Sequence, residues 1–113
     1  MITIEALTAL GANTQEGLER CLGNNEFYLR FVGMAIHDDH YQGLKDAIAQ
    51  KDLDKAFDMA HALKGVLANV SLTNILRPVQ DITEHLRARE DMDYGPLLDE
   101  MFAELDKVLA LED

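Results

Sequence analysis

Between Asp52 and Ser71 the apolar residues Leu53, Ala56, Ala60, Leu63, Leu67 and Val70 recur at alternating steps of three and four, with Met59 and Val66 widening the strip. That period aligns side chains along one face of an α-helix, and a helix with such a face must bury it against another element. Asp52 stands at the expected N-cap, and the chain supplies matching surfaces downstream. After a turn near Ser71, the residues Ile75, Val79, Ile82 and Leu86 repeat the pattern, with Pro78 either in the first turn of this helix or kinking it. Asp91 to Pro96 reads as a loop and cap. A last helix then carries Leu97, Leu98, Met101, Leu105 and Val108, with Leu109 alongside.

Upstream, Thr3 can cap a short helix over Ile4 to Leu10 that stops at Gly11. Asn13 with Glu16 has capping-box spacing and opens a second short helix through Leu18 and Cys21, ending at Gly23. Asn24 and Asn25 start the next helix, where Phe27, Phe31, Met34 and Ala35 follow a helical period with Tyr28 and Val32 beside them. The cluster His37-Asp38-Asp39-His40 interrupts or bends this helix before Leu44, Ala47 and Ile48 resume the seam. No repeat, low-complexity tract or sustained strand signal competes. The expected fold is all-α, an antiparallel four-helix bundle with a short N-terminal helical appendage, in one domain spanning residues 1–113.

Composition narrows the partners. A net charge of −11 argues against nucleic acid, whose binding rests on clustered Lys and Arg, and against an anionic membrane surface. No apolar run approaches the roughly 18 residues of a membrane span, and the N-terminus has neither a basic leader nor a cleavage pattern. A cytoplasmic protein is expected, and Met1 with compact ends fits a free-standing chain. Cys21 is the only cysteine, so neither an internal disulfide nor a thiolate zinc site can form.

The face of the central helix turned away from the seam carries chemistry. At about 100° per residue, His61 lies roughly 200° from Leu63 and points outward, with Asp54, Phe57, Asp58, Lys64, Gly65 and Ala68 as neighbours. A mid-helix glycine costs about 1 kcal/mol relative to alanine. Beside His61, Gly65 and Ala68 lower the surface, so that a partner's backbone can come close. An exposed imidazole is substantially neutral at pH 7, leaving one ring nitrogen as a nucleophile, and Lys64 can pair with an anion arriving there. These are the needs of a histidine that accepts and donates a phosphoryl group, a reaction in which positioning and charge neutralisation do most of the catalysis.

The segment His61-Ala-Leu-Lys64-Gly65, with Ala60 before it and Ala68-Asn69-Val70 after it, closely resembles the signature of histidine-containing phosphotransfer domains. These are four-helix bundles that carry phosphoryl groups between response-regulator receiver domains. Gly17-Leu18 with Arg20, Gly23 and Glu26-Phe27-Tyr28 is similar to the family's N-terminal pattern, and residues 13 to 110 fit overall. The resemblance implies that His61 is the phosphorylated residue, Lys64 the positive group near the phosphoryl oxygens, and Gly65 the small residue admitting a receiver. Phe57, Asp58 and Ala68 would surround it, and Gln80, Thr83, Glu84 and Arg87 on the next helix would border it. Receiver domains, with a hybrid sensor kinase as a further candidate, are the implied partners. The chain itself would hold no cofactor, and any Mg²⁺ would belong to the receiver. Two departures stand out. Ser71 replaces a usual glycine in the turn after the histidine helix, where it can instead cap the following helix. Thr83 replaces a usual Glu or Gln and reaches less far toward the imidazole.

Other functions fit less well. A metal-binding bundle needs inward Glu-x-x-His pairs, and the nearest approximation, Asp58-x-x-His61, points outward; no metal site is expected. A non-catalytic adaptor using the same helix face to bind a signalling protein has no need for His61, Lys64 and Gly65 together. An autonomous kinase lacks any glycine-rich phosphate loop, and a serine hydrolase lacks its nucleophile elbow.

Overall fold

A computed structural model describes residues 1–113. The chain is entirely helical: α1 (Ile4–Ala9), α2 (Thr14–Arg20), α3 (Asn25–Ile36), α4 (His40–Ala49), α5 (Leu53–Asn69), α6 (Thr73–Arg87) and α7 (Gly95–Leu109), closed by a 3₁₀ turn, Ala110–Glu112. From α4 onward each helix packs on the next, and α3 meets α7. From α4 to α7 short connections join helices that pack side by side, as in a helical bundle. His37-Asp38-Asp39 separates α3 from α4, so the expected interruption divides them into two helices.

Local chemistry sets the boundaries. Thr3 Oγ1 accepts from Ala6 N, Asn13 Oδ1 from Glu16 N, Asn24 Oδ1 from Phe27 N and Asp52 Oδ1 from Lys55 N, each satisfying a donor that the first helical turn leaves unpaired. The helix ends are equally regular. After α5, Ser71 N donates to the Ala68 carbonyl and Leu72 N to that of Leu67. This double bond pattern requires a left-handed residue just past the C-cap. Gly11 fills that place after α1 at φ +100°, but Leu22, Lys51, Ser71 and Arg89 do so after α2, α4, α5 and α6, at φ between +53° and +58°. Ser71 therefore holds the backbone shape of a glycine. It does not cap α6: its buried Oγ has no hydrogen-bond partner, and the N-cap position belongs to Leu72. The left-handed backbone commits Ser71 to ending α5, which leaves it one residue too early to reach the first amides of α6.

A contiguous cluster of 24 buried residues runs from Leu7 to Val108. Apart from half-buried Leu53, the strips read from sequence for α5 and α6 are in it: Ala56, Ala60, Leu63, Leu67, Ile75, Val79, Ile82 and Leu86 are all fully buried. In α3 the expected strip is split, and of its four residues only Ala35 enters the core. Phe27, Phe31 and Met34 are 48%, 45% and 64% exposed, while Tyr28, Val32, Ala35 and Ile36 face the core. The two strips sit one residue apart on the helical wheel, and the choice is made by the neighbours. Gly17 on α2 leaves room for the Tyr28 ring, whose hydroxyl donates to the Val70 carbonyl at 2.9 Å. Pro78 lies inside α6, beyond its first turn, and is buried.

Candidate functional site

α5 projects His61 into solvent from the middle of its outer face, with Asp58, Gly65 and Asn69 also exposed and Phe57, Lys64 and Ala68 half-buried around it. A Cβ added to Gly65 would meet no atom within 4 Å, so nothing inside the protein requires glycine there. The cleared space belongs to the outside.

His61 differs from the other histidines in its surroundings. His37 Nε2 lies 2.8 Å from Glu112 Oε1, His40 Nδ1 2.6 Å from Asp38 Oδ1, and His85 Nδ1 3.0 Å from Glu90 Oε2. His61 has no such carboxylate, and its one close side-chain partner is an aromatic ring. Phe57, one turn earlier on α5, stacks on the imidazole with 5.6 Å between centroids and 21° between planes. Stacking covers a ring face and leaves the edge that carries the nitrogens open.

Lys64 forms no ion pair. Its charge reaches Glu84 on α6, whose carboxyl is held below the usual range by the hydrogen bond from Arg87, reinforced by the positive charges of Arg87 and Lys64. Arg87 Nε sits 3.0 Å from Glu84 Oε2, and its guanidinium also lies 5.1 Å from the Phe57 ring. Glu84 and Arg87 thus come beside the α5 face, and Gln80 is exposed on the same helix. Thr83 is the exception. It is fully buried and its hydroxyl donates to the Val79 carbonyl at 2.6 Å, so it presents nothing to a partner or to the imidazole. One position off the exposed stripe of α6 is enough to turn this side chain into the bundle.

Two features escaped sequence reading. Arg89, just past the end of α6, lies 4.8 Å from the Phe57 ring and pairs with Asp54. A basic residue at a helix C-terminus is too common to signal this. The second is an open, largely apolar concavity of about 500 Å³ between Val66 and Asn69 of α5, Val70 just past its end, and Phe31, Met34 and Ala35 of α3, lined also by Arg20, Cys21 and Asp38. Phe31 and Met34, exposed on α3, line one side of it. The cluster at His37 to His40 is occupied locally, Asp38 Oδ1 accepting from the backbone and ring of His40.

Residues 36–111 match the model of the Hpt domain, more than half of the chain. The chain therefore belongs to the Hpt family of helical histidine-phosphotransfer domains, phosphocarriers of two-component phosphorelays. The match begins at Ile36, so the likeness at Gly17, Gly23 and Glu26 to Tyr28 lies outside it. No curated protein and no solved structure gives a significant match. No helix is long and apolar enough to cross a membrane.

Proposed function

We propose that His61 is the phosphoryl acceptor of this Hpt domain, taking the group from the aspartyl phosphate of a response-regulator receiver and passing it to a second receiver. The observation that carries this reading is the environment of His61: an exposed imidazole with no carboxylate partner, beside a glycine whose missing side chain opens only onto solvent. In the forward step the lone pair of an unprotonated ring nitrogen attacks phosphorus in line. The N–P bond forms as the bond from phosphorus to the aspartyl oxygen breaks, and the receiver's carboxylate leaves with that electron pair. Lys64, free of ion pairs, neutralises charge on the phosphoryl oxygens. The return step is the same exchange with a second aspartate as nucleophile. Asp58, Ala68, Gln80, Glu84 and Arg87 form the polar and small-residue surround on which the receiver rests.

Incubation with a ³²P-labelled phospho-receiver should place acid-labile, base-stable label on the chain. Label that persists in His61→Gln removes the assignment. Lys64→Ala should slow transfer by roughly tenfold, the order expected for loss of one charge-assisted contact.

A further inference from the structure

Resting on the reading of His61 as acceptor, one arrangement on the same face asks for a role of its own. The Phe57 ring is held from several directions. It stacks on His61, and two guanidinium groups lie over it, Arg87 at 5.1 Å and Arg89 at 4.8 Å from its centroid. Both arginines are themselves tethered. Arg87 Nε donates to Glu84 at 3.0 Å. Arg89 Nε donates to Asp54 at 2.7 Å and its Nη1 to the Leu86 carbonyl at 2.6 Å. Asp54 precedes Phe57 by most of a turn on α5, so Arg89 ties the end of α6 across to the base of the stack.

We propose that Phe57 is a positioning residue that sets the plane of the His61 imidazole, with Arg87 and Arg89 holding the Phe57 ring in place. An unsupported histidine on a helix surface samples several χ2 settings, because that torsion is broad. In-line attack uses a lone pair lying in the ring plane, so only orientations that aim the ring edge at phosphorus are productive. A phenyl ring against one imidazole face restricts the plane while leaving both nitrogens uncovered. The arginines suit this task because a guanidinium over an aromatic face is attracted to its negative quadrupole. Anchored to Glu84 and to Asp54, they keep Phe57 from turning into solvent. Phe57 thus acts through His61, beyond any contact it makes with a receiver.

The test removes the receiver, so that docking cannot contribute. Phosphoramidate is used as phosphodonor to the full chain: its P–N bond breaks, the bond from phosphorus to the imidazole nitrogen forms, and ammonia leaves after taking a proton. Phosphorylation is followed by ³¹P NMR and intact mass, with the His61 ring protons read for the ring-current shift of the stack. Phe57→Leu, which keeps apolar bulk but has no ring face, should react about 3- to 10-fold more slowly and lose the shift, well short of the ~10²-fold that gross misplacement causes. Phe57→Tyr should restore both. Arg89→Gly should slow the reaction about 2- to 3-fold and weaken the shift, although glycine suits its left-handed backbone and the fold should be at least as stable. A merely structural role would move melting temperature and leave the per-molecule rate alone. Wild-type rates in Phe57→Leu and Arg89→Gly overturn the positioning role and leave the acceptor assignment intact. Failure of the wild-type chain to be phosphorylated on His61 overturns both.

Discussion

Gly17 and Gly65 are both helical glycines, and their missing side chains would meet opposite surroundings. A Cβ on Gly17 would run into the Tyr28 ring, overlapping Cε1 and lying 2.8 Å from Cζ. A Cβ on Gly65 would touch nothing. Gly17 is an internal requirement, letting α3 approach α2 with an aromatic ring between them. Gly65 is a cost of about 1 kcal/mol in helix propensity with no return inside the molecule. An absent side chain therefore answers to packing in one place and opens onto solvent in the other, where the proposed function gives the space to a receiver.

The comparison breaks most visibly at Gly65. Gly65→Leu should reduce transfer from a phospho-receiver by about 10²-fold or more through bulk at the reacting centre, while leaving helicity unchanged or higher. Transfer at the wild-type rate would mean that the glycine does not serve access. At Gly17 the effects should exchange places. Gly17→Ala should lower unfolding free energy in urea by about 1–3 kcal/mol through overpacking, with transfer per folded molecule unaltered.

The ring that Gly17 accommodates has a pH signature. Burial, with a smaller contribution from the charge of Cys21, pushes the Tyr28 hydroxyl up to about 12. An unfolded chain ionises its tyrosines near 10, so the folded state holds the proton more tightly. The stabilisation is complete below about pH 10 and is withdrawn as pH rises from there toward 12. Urea midpoints should fall across that window, and Tyr28→Phe, which has no proton to lose, should flatten the slope.

The smallest expected effect sharpens the comparison with a residue that should be a third glycine. Ser71 occupies φ +53° with an unpartnered buried hydroxyl. Ser71→Gly should raise stability by about 1 kcal/mol without altering transfer. A loss of stability would show that the serine holds the turn in a way its hydrogen bonding does not reveal.

Much of the fold was legible because its signals are local. The three- and four-residue steps of α5 and α6, the capping residues Thr3, Asn13, Asn24 and Asp52, and the stop at Gly11 each act over one turn of chain, and all stand where the sequence places them. The outward direction of His61 followed from the same period. Two errors share one cause. Phe27, Phe31 and Met34 are apolar and Thr83 is polar, yet the former are exposed and the latter is buried. In each case adjacent positions on the wheel offered alternative faces, and nothing within the segment distinguishes them.

By itself, then, the sequence determined that the chain is a set of amphipathic helices and that one of them presents His61, Lys64 and Gly65 on its wet face. Periodicity and capping are properties of a single helix, and they are written in consecutive residues. Tertiary structure alone decided which strip of α3 entered the core, through the space at Gly17 and the reach of Tyr28 to Val70. It also brought Arg87 and Arg89 of one helix end over the Phe57 ring of another and left His61 the histidine without a carboxylate. Those relations join residues distant along the chain, and they exist only once the helices have packed.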